Sequence, residues 1–168
     1  MLSPERQSST DGMSVTLISG AEPSGLADML QQFIEQTLAD SPRKVRQARR
    51  LAGRALFRAA EDEALCVGIT FAGQRIELQD GSAPAAGDAM ITADFLTIAH
   101  LTSGQESPFR LLARRKMRVR FSVLQVPFLL GVLRFMQIES ERSHARWLWP
   151  VVAAVTAGAL CWYVAAHS

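Results

Sequence analysis

Residues 88–121 read DAMITADFLTIAHLTSGQESPFRLLARRKMRVRF, and this stretch determines the predicted fold class. Its apolar residues change from alternation, which is typical of a strand, to a spacing of three and four, which is typical of a helix, and back again. Ser-Gly and Ser-Pro pairs mark the boundaries between elements. The prediction is a strand over 88–92, a helix over 93–102, a short helix after Ser107-Pro108 and a strand over 117–121. The stretch therefore belongs to a mixed α+β domain.

The same patterns extend the domain toward the N-terminus. A helix that opens at Ser24 or Gly25 has one apolar face through Leu38, and Ser41-Pro42 ends it and caps a second helix. This second helix is predicted to reach Ala59, because small apolar residues recur along one side. Two alternating segments then indicate strands, over 65–71 and 75–78. The polar start is predicted to be a disordered tail, so the tail covers 1–23 and the domain covers 24–138.

The domain closes with a predicted helix over Leu124–Ile138, fifteen residues that are apolar almost all round. A small domain buries one face of such a helix, and the presence of Arg134 makes it a poor membrane span. The exposed apolar area therefore predicts a lid over an apolar ligand, a helix lying on a membrane, or an interface with another protein.

The last apolar stretch, Leu148–Ala166, has nineteen residues and no charge. A helix of that length reaches about 28 Å, close to one hydrocarbon core. Aromatic residues stand at both ends, as they do at membrane interfaces. The competing interpretation is a buried core helix. Because Arg142 and Arg146 precede the span, the domain should face the cytoplasm, and residues 139–147 form a linker. The expected location is a bacterial inner membrane, with the chain as a single-pass membrane protein.

The net charge is only +2, but the positive residues are clustered. Seven Lys and Arg lie within 43–58, and six lie within 110–120. On the predicted second helix, five arginines oppose the apolar stripe: Arg43, Arg46, Arg50, Arg54 and Arg58. They could form a solvated face or contact lipid headgroups, and beside a membrane span the anionic bilayer is the favoured acidic partner. Nucleic acid is disfavoured for the same reason, and it is not expected as a partner.

No active site is expected. His100 lies on a mainly apolar helix, where a lone histidine is usually structural. Ser41 and Lys44 match S-x-x-K, but the companion motifs are missing. No metal cluster, calcium loop or phosphate-binding glycine loop is present, and Cys66 and Cys161 are predicted in different elements, so no disulfide is implied. No cofactor is expected.

The order of elements is similar to that of the sterol carrier protein 2 family, a family of lipid-binding domains. The resemblance covers about 65–136 and rests on Asp88-Ala89, Asp94-Phe95-Leu96, Ser103-Gly104, Ser107-Pro108 and Lys116–Arg120. Two positions depart from the family pattern. Arg115 stands where the family usually has glycine, and Phe121-Ser122 stands where it has Gly-Asp, so the turn there and the pocket mouth are expected to differ.

The resemblance implies a sheet of about five strands covered by helices, an apolar tunnel between them and no catalytic centre. The implied ligand is a sterol, acyl lipid or isoprenoid. Some bacterial ubiquinone-biosynthesis accessory proteins also resemble the family, so a quinone or its polyprenyl precursor is a candidate. The side chains expected at the pocket, which could equally be core, are Phe95, Leu96, Phe109, Leu112, Val119, Phe128, Leu129, Val132 and Met136.

Two functions are therefore expected from the sequence. The first is membrane-tethered binding or transfer of an apolar lipid. The second is a non-catalytic accessory subunit, whose cavity is filled and which docks onto a larger membrane protein complex.

Overall fold

The computed structural model describes residues 5–10, 12–20, 22–85 and 87–137 of the chain. All of them fall within one compact unit, Met1–Ile138. Among these residues no helix has both the length and the apolar character needed to cross a bilayer. The predicted linker and span lie outside the described residues.

Seven strands and five helices make up the described part of the chain. The strands are β1 (Glu5–Thr10), β2 (Met13–Ile18), β3 (Ala52–Ala59), β4 (Cys66–Ala72), β5 (Arg75–Asp80), β6 (Ala89–Ala93) and β7 (Met117–Arg120). The helices are α1 (Gly25–Asp40), α2 (Pro42–Arg49), α3 (Phe95–Thr102), α4 (Pro108–Ala113) and α5 (Val126–Met136), and a 3-10 helix over Val123–Gln125 leads into α5.

The strands form one mixed sheet in the order β1-β2-β5-β4-β3-β6-β7. The β2–β5 and β3–β6 pairs are parallel, and the other neighbours are antiparallel. This architecture confirms the predicted α+β class. The number of strands differs from the expected five, because the segment before α1 and the segment after α2 both join the sheet.

Alternate residues of the strands place one apolar face of the sheet in the core. Val15, Phe57, Ile69 and Ile91 on this face are at most 2% exposed, and they belong to one cluster with side chains of α1 and α5. Fully burying a large apolar side chain stabilises a fold by roughly 1.5–3 kcal/mol. The core therefore lies between this face of the sheet and the helices.

An acidic residue at the end of β5 fixes the start of α1. The Asp80 carboxylate accepts hydrogen bonds from the Ser24 backbone N–H at 2.6 Å and from the Ser24 hydroxyl at 2.8 Å. The Ser24 hydroxyl in turn accepts a bond from the Ala27 N–H and caps the helix. This link holds the N-terminus of α1 beside the sheet.

The predicted disordered tail over 1–23 is wrong, because β1 and β2 lie within it. Met13, Val15 and Leu17 alternate along β2 and are at most 1% exposed. Backbone pairing with β5 on one side and β1 on the other satisfies the strand. A short apolar run that has little order by itself becomes part of the core when a neighbouring strand supplies partners.

The predicted second helix ends ten residues too late. Helix α2 ends at Arg49, and residues 52–59 form β3, the strand between β4 and β6. Alanine and arginine favour helices, but pairing on both edges and burial of Ala55, Phe57 and Ala59 outweigh that preference. The other predicted elements agree with the structure to within two residues at each end.

Candidate functional site

A small apolar cavity lies between α1, the central strands and α5. Its volume is about 10 Å³, room for about one water-sized molecule. Only apolar side chains line it: Leu30, Phe33 and Ile34 of α1, Phe57 of β3, Ile69 and Phe71 of β4, and Val132, Phe135 and Met136 of α5. The cavity therefore offers hydrocarbon contacts and no hydrogen bonds.

Local sequence patterns bring these side chains together. Leu30, Phe33 and Ile34 follow one another at spacings of three and four along α1, so they share a face. On the sheet, Phe57 and Ile69 come from adjacent strands whose inward residues alternate. Phe71 contacts Phe135 edge to face, with ring centroids 5.8 Å apart, and both rings line the cavity.

The C-terminal end of α5 is held by a buried lysine of α2. Lys44 is 5% exposed, and its Nζ donates hydrogen bonds to the backbone carbonyls of Arg134, Phe135 and Gln137 at 2.6–2.7 Å. These carbonyls belong to the last turn and the end of the helix, where carbonyls lack the donor four residues later, although the Arg134 carbonyl also accepts a bond from the Gln137 N–H. The positive charge also suits the negative end of the helix dipole. Lys44 therefore caps α5 and fixes it to α2.

The middle of α5 approaches the domain closely through glycines. Gln47 donates a side-chain hydrogen bond to the Gly131 carbonyl at 3.1 Å. An added Cβ at Gly131 would overlap the Leu51 methyl group. In the N-terminal half of α5, the Phe128 ring lies on Gly53, where an added Cβ would be 3.2 Å from the ring. The Phe128 ring also contacts the Phe71 ring, and the two ring centroids are 6.1 Å apart. Hydrogen bonds from Lys44 and Gln47 thus add to the packing of the C-terminal part of α5, whereas the N-terminal part packs through the Phe128 ring and Leu129.

The nine predicted pocket residues divide into three groups. Val132 and Met136 line the cavity. Phe109, Leu112, Val119 and Phe128 are partly buried against the core, and Leu129 is buried within it. Phe95 and Leu96 are 39% and 64% exposed at the start of α3, and neither lines this cavity.

The cavity residues of α1, β3 and β4 were not predicted individually. Their apolar faces are visible in the sequence, but nothing in a periodic pattern indicates which core side chains surround a gap. Phe57 carried no such signal, since its segment was predicted to be helical.

The five predicted headgroup-binding arginines do not share one helix face, so that prediction is corrected. Arg43, Arg46 and Arg50 are exposed on α2 or at its end. Arg54 and Arg58 lie on β3 instead, where they form ion pairs with Asp88 at 3.2 Å and Glu63 at 3.4 Å. The cause is the transition from α2 to β3, which moves the last two side chains onto the sheet.

The face of the sheet opposite the cavity holds the one cysteine of the described residues. Cys66 is 4% exposed, and burial raises the pKa of its thiol, an effect that Arg58 and Arg54 oppose. A protonated, buried thiol is a weak nucleophile. Within the described residues no group of His, Cys, Asp and Glu could hold a metal ion.

Comparisons with known proteins give matches among solved structures alone. No family model and no curated protein matches the chain. Similar solved structures include a UbiJ-SCP2 ubiquinone synthesis protein, with a TM-score of 0.49 and 12% identity over 64% of this chain and 89% of that chain. A crystal structure of sterol carrier protein 2 has a TM-score of 0.47 and 17% identity over 62% and 88%. The sterol carrier protein domain 2 of Helicoverpa armigera has a TM-score of 0.46 and 17% identity over 73% and 97%.

These structures belong to the family that the motif order of residues 88–121 resembles. At such identities the likeness concerns the fold alone. It does not indicate which side chains would hold a ligand.

Proposed function

We propose that this domain binds the hydrocarbon part of one membrane lipid between α1, the sheet and α5. The observation that carries the proposal is the cavity, which is lined by nine apolar side chains and lies under the helix that the sequence predicts as a lid. Ligand sites are mostly apolar and concave, and they occur beneath elements that can move. A sterol, an acyl chain or an isoprenoid quinone would suit such a lining.

The cavity of about 10 Å³ is much smaller than ligand pockets, which measure roughly 300–1,000 Å³. Binding therefore requires movement. The N-terminal half of α5 is the part that would move, because the contacts described for it are apolar: the Phe128 ring lies against Gly53 and Phe71, and Leu129 is buried in the core. Lys44 and Gln47 would retain the C-terminal half, so that the helix swings outward instead of detaching.

A second candidate function is favoured by the same small volume. If the cavity stays closed, the domain is a filled core, and the exposed apolar residues around α5 would dock onto a larger membrane complex. In that account the domain is a non-catalytic accessory subunit, tethered by the predicted span. The two functions differ in whether hydrocarbon ever enters between Phe71 and Val132.

The deciding experiment is photo-crosslinking of the full chain in vesicles with a fatty acid that carries a diazirine in its acyl chain. Peptide mass spectrometry should find the label on β4 or on α5. Val132→Ile should lower this labelling, because the added methylene occupies the cavity, whereas Arg134→Ala, on the exposed side of the same helix, should retain it. Circular dichroism of both variants controls for folding.

If the unmodified chain is labelled elsewhere but not on β4 or α5, that result would contradict lipid binding between α1, the sheet and α5. That result would favour the accessory subunit.

A further inference from the structure

Strand β7 and the turn after it expose positive and apolar side chains together at one edge of the sheet. β7 is the last strand in the sheet order, and Arg118 and Arg120 are exposed on it. Directly after the strand, Phe121, Val123 and Leu124 are 42%, 74% and 93% exposed. Large apolar side chains that remain in water in this number and proximity are a mark of an interaction surface.

The segment of sequence that contains this edge carries charges of one sign. Residues 107–137 contain seven Lys and Arg and no Asp or Glu. Glu106, just before this segment, lies 3.7 Å from Arg114 and 3.5 Å from Lys116. No carboxylate of the described chain forms an ion pair with Arg118 or Arg120, so their charges are available to an outside partner.

The exposed apolar residues are held in a defined conformation. The Ser122 backbone N–H donates to the Gln125 side-chain oxygen at 3.0 Å, and the Gln125 backbone N–H in turn donates to the Ser122 side chain. This reciprocal capping closes the 3-10 helix on which Val123 and Leu124 lie. Their exposure is therefore a property of a capped turn and not of a frayed end.

Arg115 precedes β7 at the other end of the strand. It has φ +57°, its N–H donates to the Leu112 carbonyl, and the Lys116 N–H donates to the Leu111 carbonyl, each at 3.0 Å. These two bonds make Arg115 the left-handed residue that ends α4. The end of the helix therefore explains its conformation, and Arg115 is not part of this surface.

We propose that this edge, Arg118–Leu124, docks onto an anionic lipid bilayer. Phe121, Val123 and Leu124 enter the interface, while Arg118 and Arg120 contact the phosphate headgroups. A short apolar tip surrounded by cations suits a bilayer, which combines anionic headgroups with hydrocarbon directly beneath them. Three exposed apolar side chains are few for a protein interface, which takes roughly 20–30 residues from each partner. The proposal does not depend on whether the domain holds a lipid.

The test uses the full chain in vesicles, with a water-sensitive fluorophore attached to a cysteine at position 124. Leu124→Cys is made in a Cys66→Ala, Cys161→Ala background. The matched control is Glu63→Cys, because Glu63 is 84% exposed and lies at the opposite end of the sheet. The strand register shows this separation. Arg120, which precedes Leu124, pairs with Met90 near the start of β6, whereas Ala59, which precedes Glu63, pairs with Ala93 at the end of β6.

In vesicles that contain phosphatidylglycerol, the label at 124 should shift to the blue and be quenched by brominated acyl chains, and the label at 63 should not. Arg118→Glu with Arg120→Glu should lower the quenching, since each basic residue near an anionic surface changes affinity by roughly fivefold. Equal quenching in phosphatidylcholine vesicles, or labels at 124 and 63 that are equally exposed to water, would overturn the proposal. A label at 124 that is shielded without vesicles would indicate a second copy of the chain and would overturn it too.

Discussion

The smallest feature that controls the site is the ammonium group of Lys44. A buried lysine is rare unless its charge and its donors are satisfied. Here three carbonyls at the end of α5 accept its hydrogen bonds, and the Phe135 ring lies 5.8 Å from the ammonium group. One side chain thus joins α2 to the helix that covers the cavity.

Replacing this lysine should therefore destabilise the domain. Lys44→Met keeps the apolar stem and removes all three hydrogen bonds. Because the carbonyls then lose a charged donor, the free energy of unfolding should fall by about 2–4 kcal/mol. Urea unfolding followed by circular dichroism measures the change. Arg46→Met, an exposed change on the same helix, should stay within about 0.5 kcal/mol. A Lys44→Met variant as stable as Arg46→Met would show that the cap contributes nothing.

At the scale of elements, the placement of α5 depends on two glycines, Gly53 of β3 and Gly131 of α5 itself. Gly53 has φ +144°, and the Phe128 ring occupies the space where a side chain would be. Gly131 likewise leaves room for Leu51. The helix approaches β3 this closely because neither position carries a Cβ.

Gly53→Ala should weaken this contact for two separable reasons. The unusual φ should cost about 1–3 kcal/mol by backbone strain, and the new methyl group should push the Phe128 ring outward. A double-mutant cycle with Phe128→Ala, measured by urea unfolding, separates the two effects. The cost of Gly53→Ala should be smaller in the Phe128→Ala background. Equal costs in both backgrounds would mean that the ring does not rest on this glycine.

At the scale of the whole chain, the predicted span is the feature that membrane fractionation tests. The span Leu148–Ala166 remains a prediction from the sequence. Full-length protein should stay in the membrane pellet through an alkaline carbonate wash, and a chain that lacks residues 147–168 should be released. Recovery of the full chain in the carbonate supernatant would refute the tether.

The sequence by itself determined the α+β class, α1 and the elements from β4 to α5. Each of those segments has a single hydrophobic period, either helical or strand-like, with Ser, Pro or Gly at its boundaries. Local secondary-structure preference and the tertiary structure therefore agree there. It also indicated where the positive charge is concentrated, whereas the role of the closing helix as a lid stays a prediction. The family resemblance came from the same segments.

Only the tertiary structure decided the rest. Residues 52–59 are compatible with a helix or a strand, and the backbone groups of β4 and β6 resolved the choice. The strand at Met13–Ile18 needed β5 as a partner, from sixty residues away in the chain. The cavity and the Lys44 cap likewise join segments that are distant in sequence. A periodic pattern reports which face of an element is apolar, but only packing decides which apolar faces meet and where they leave a gap.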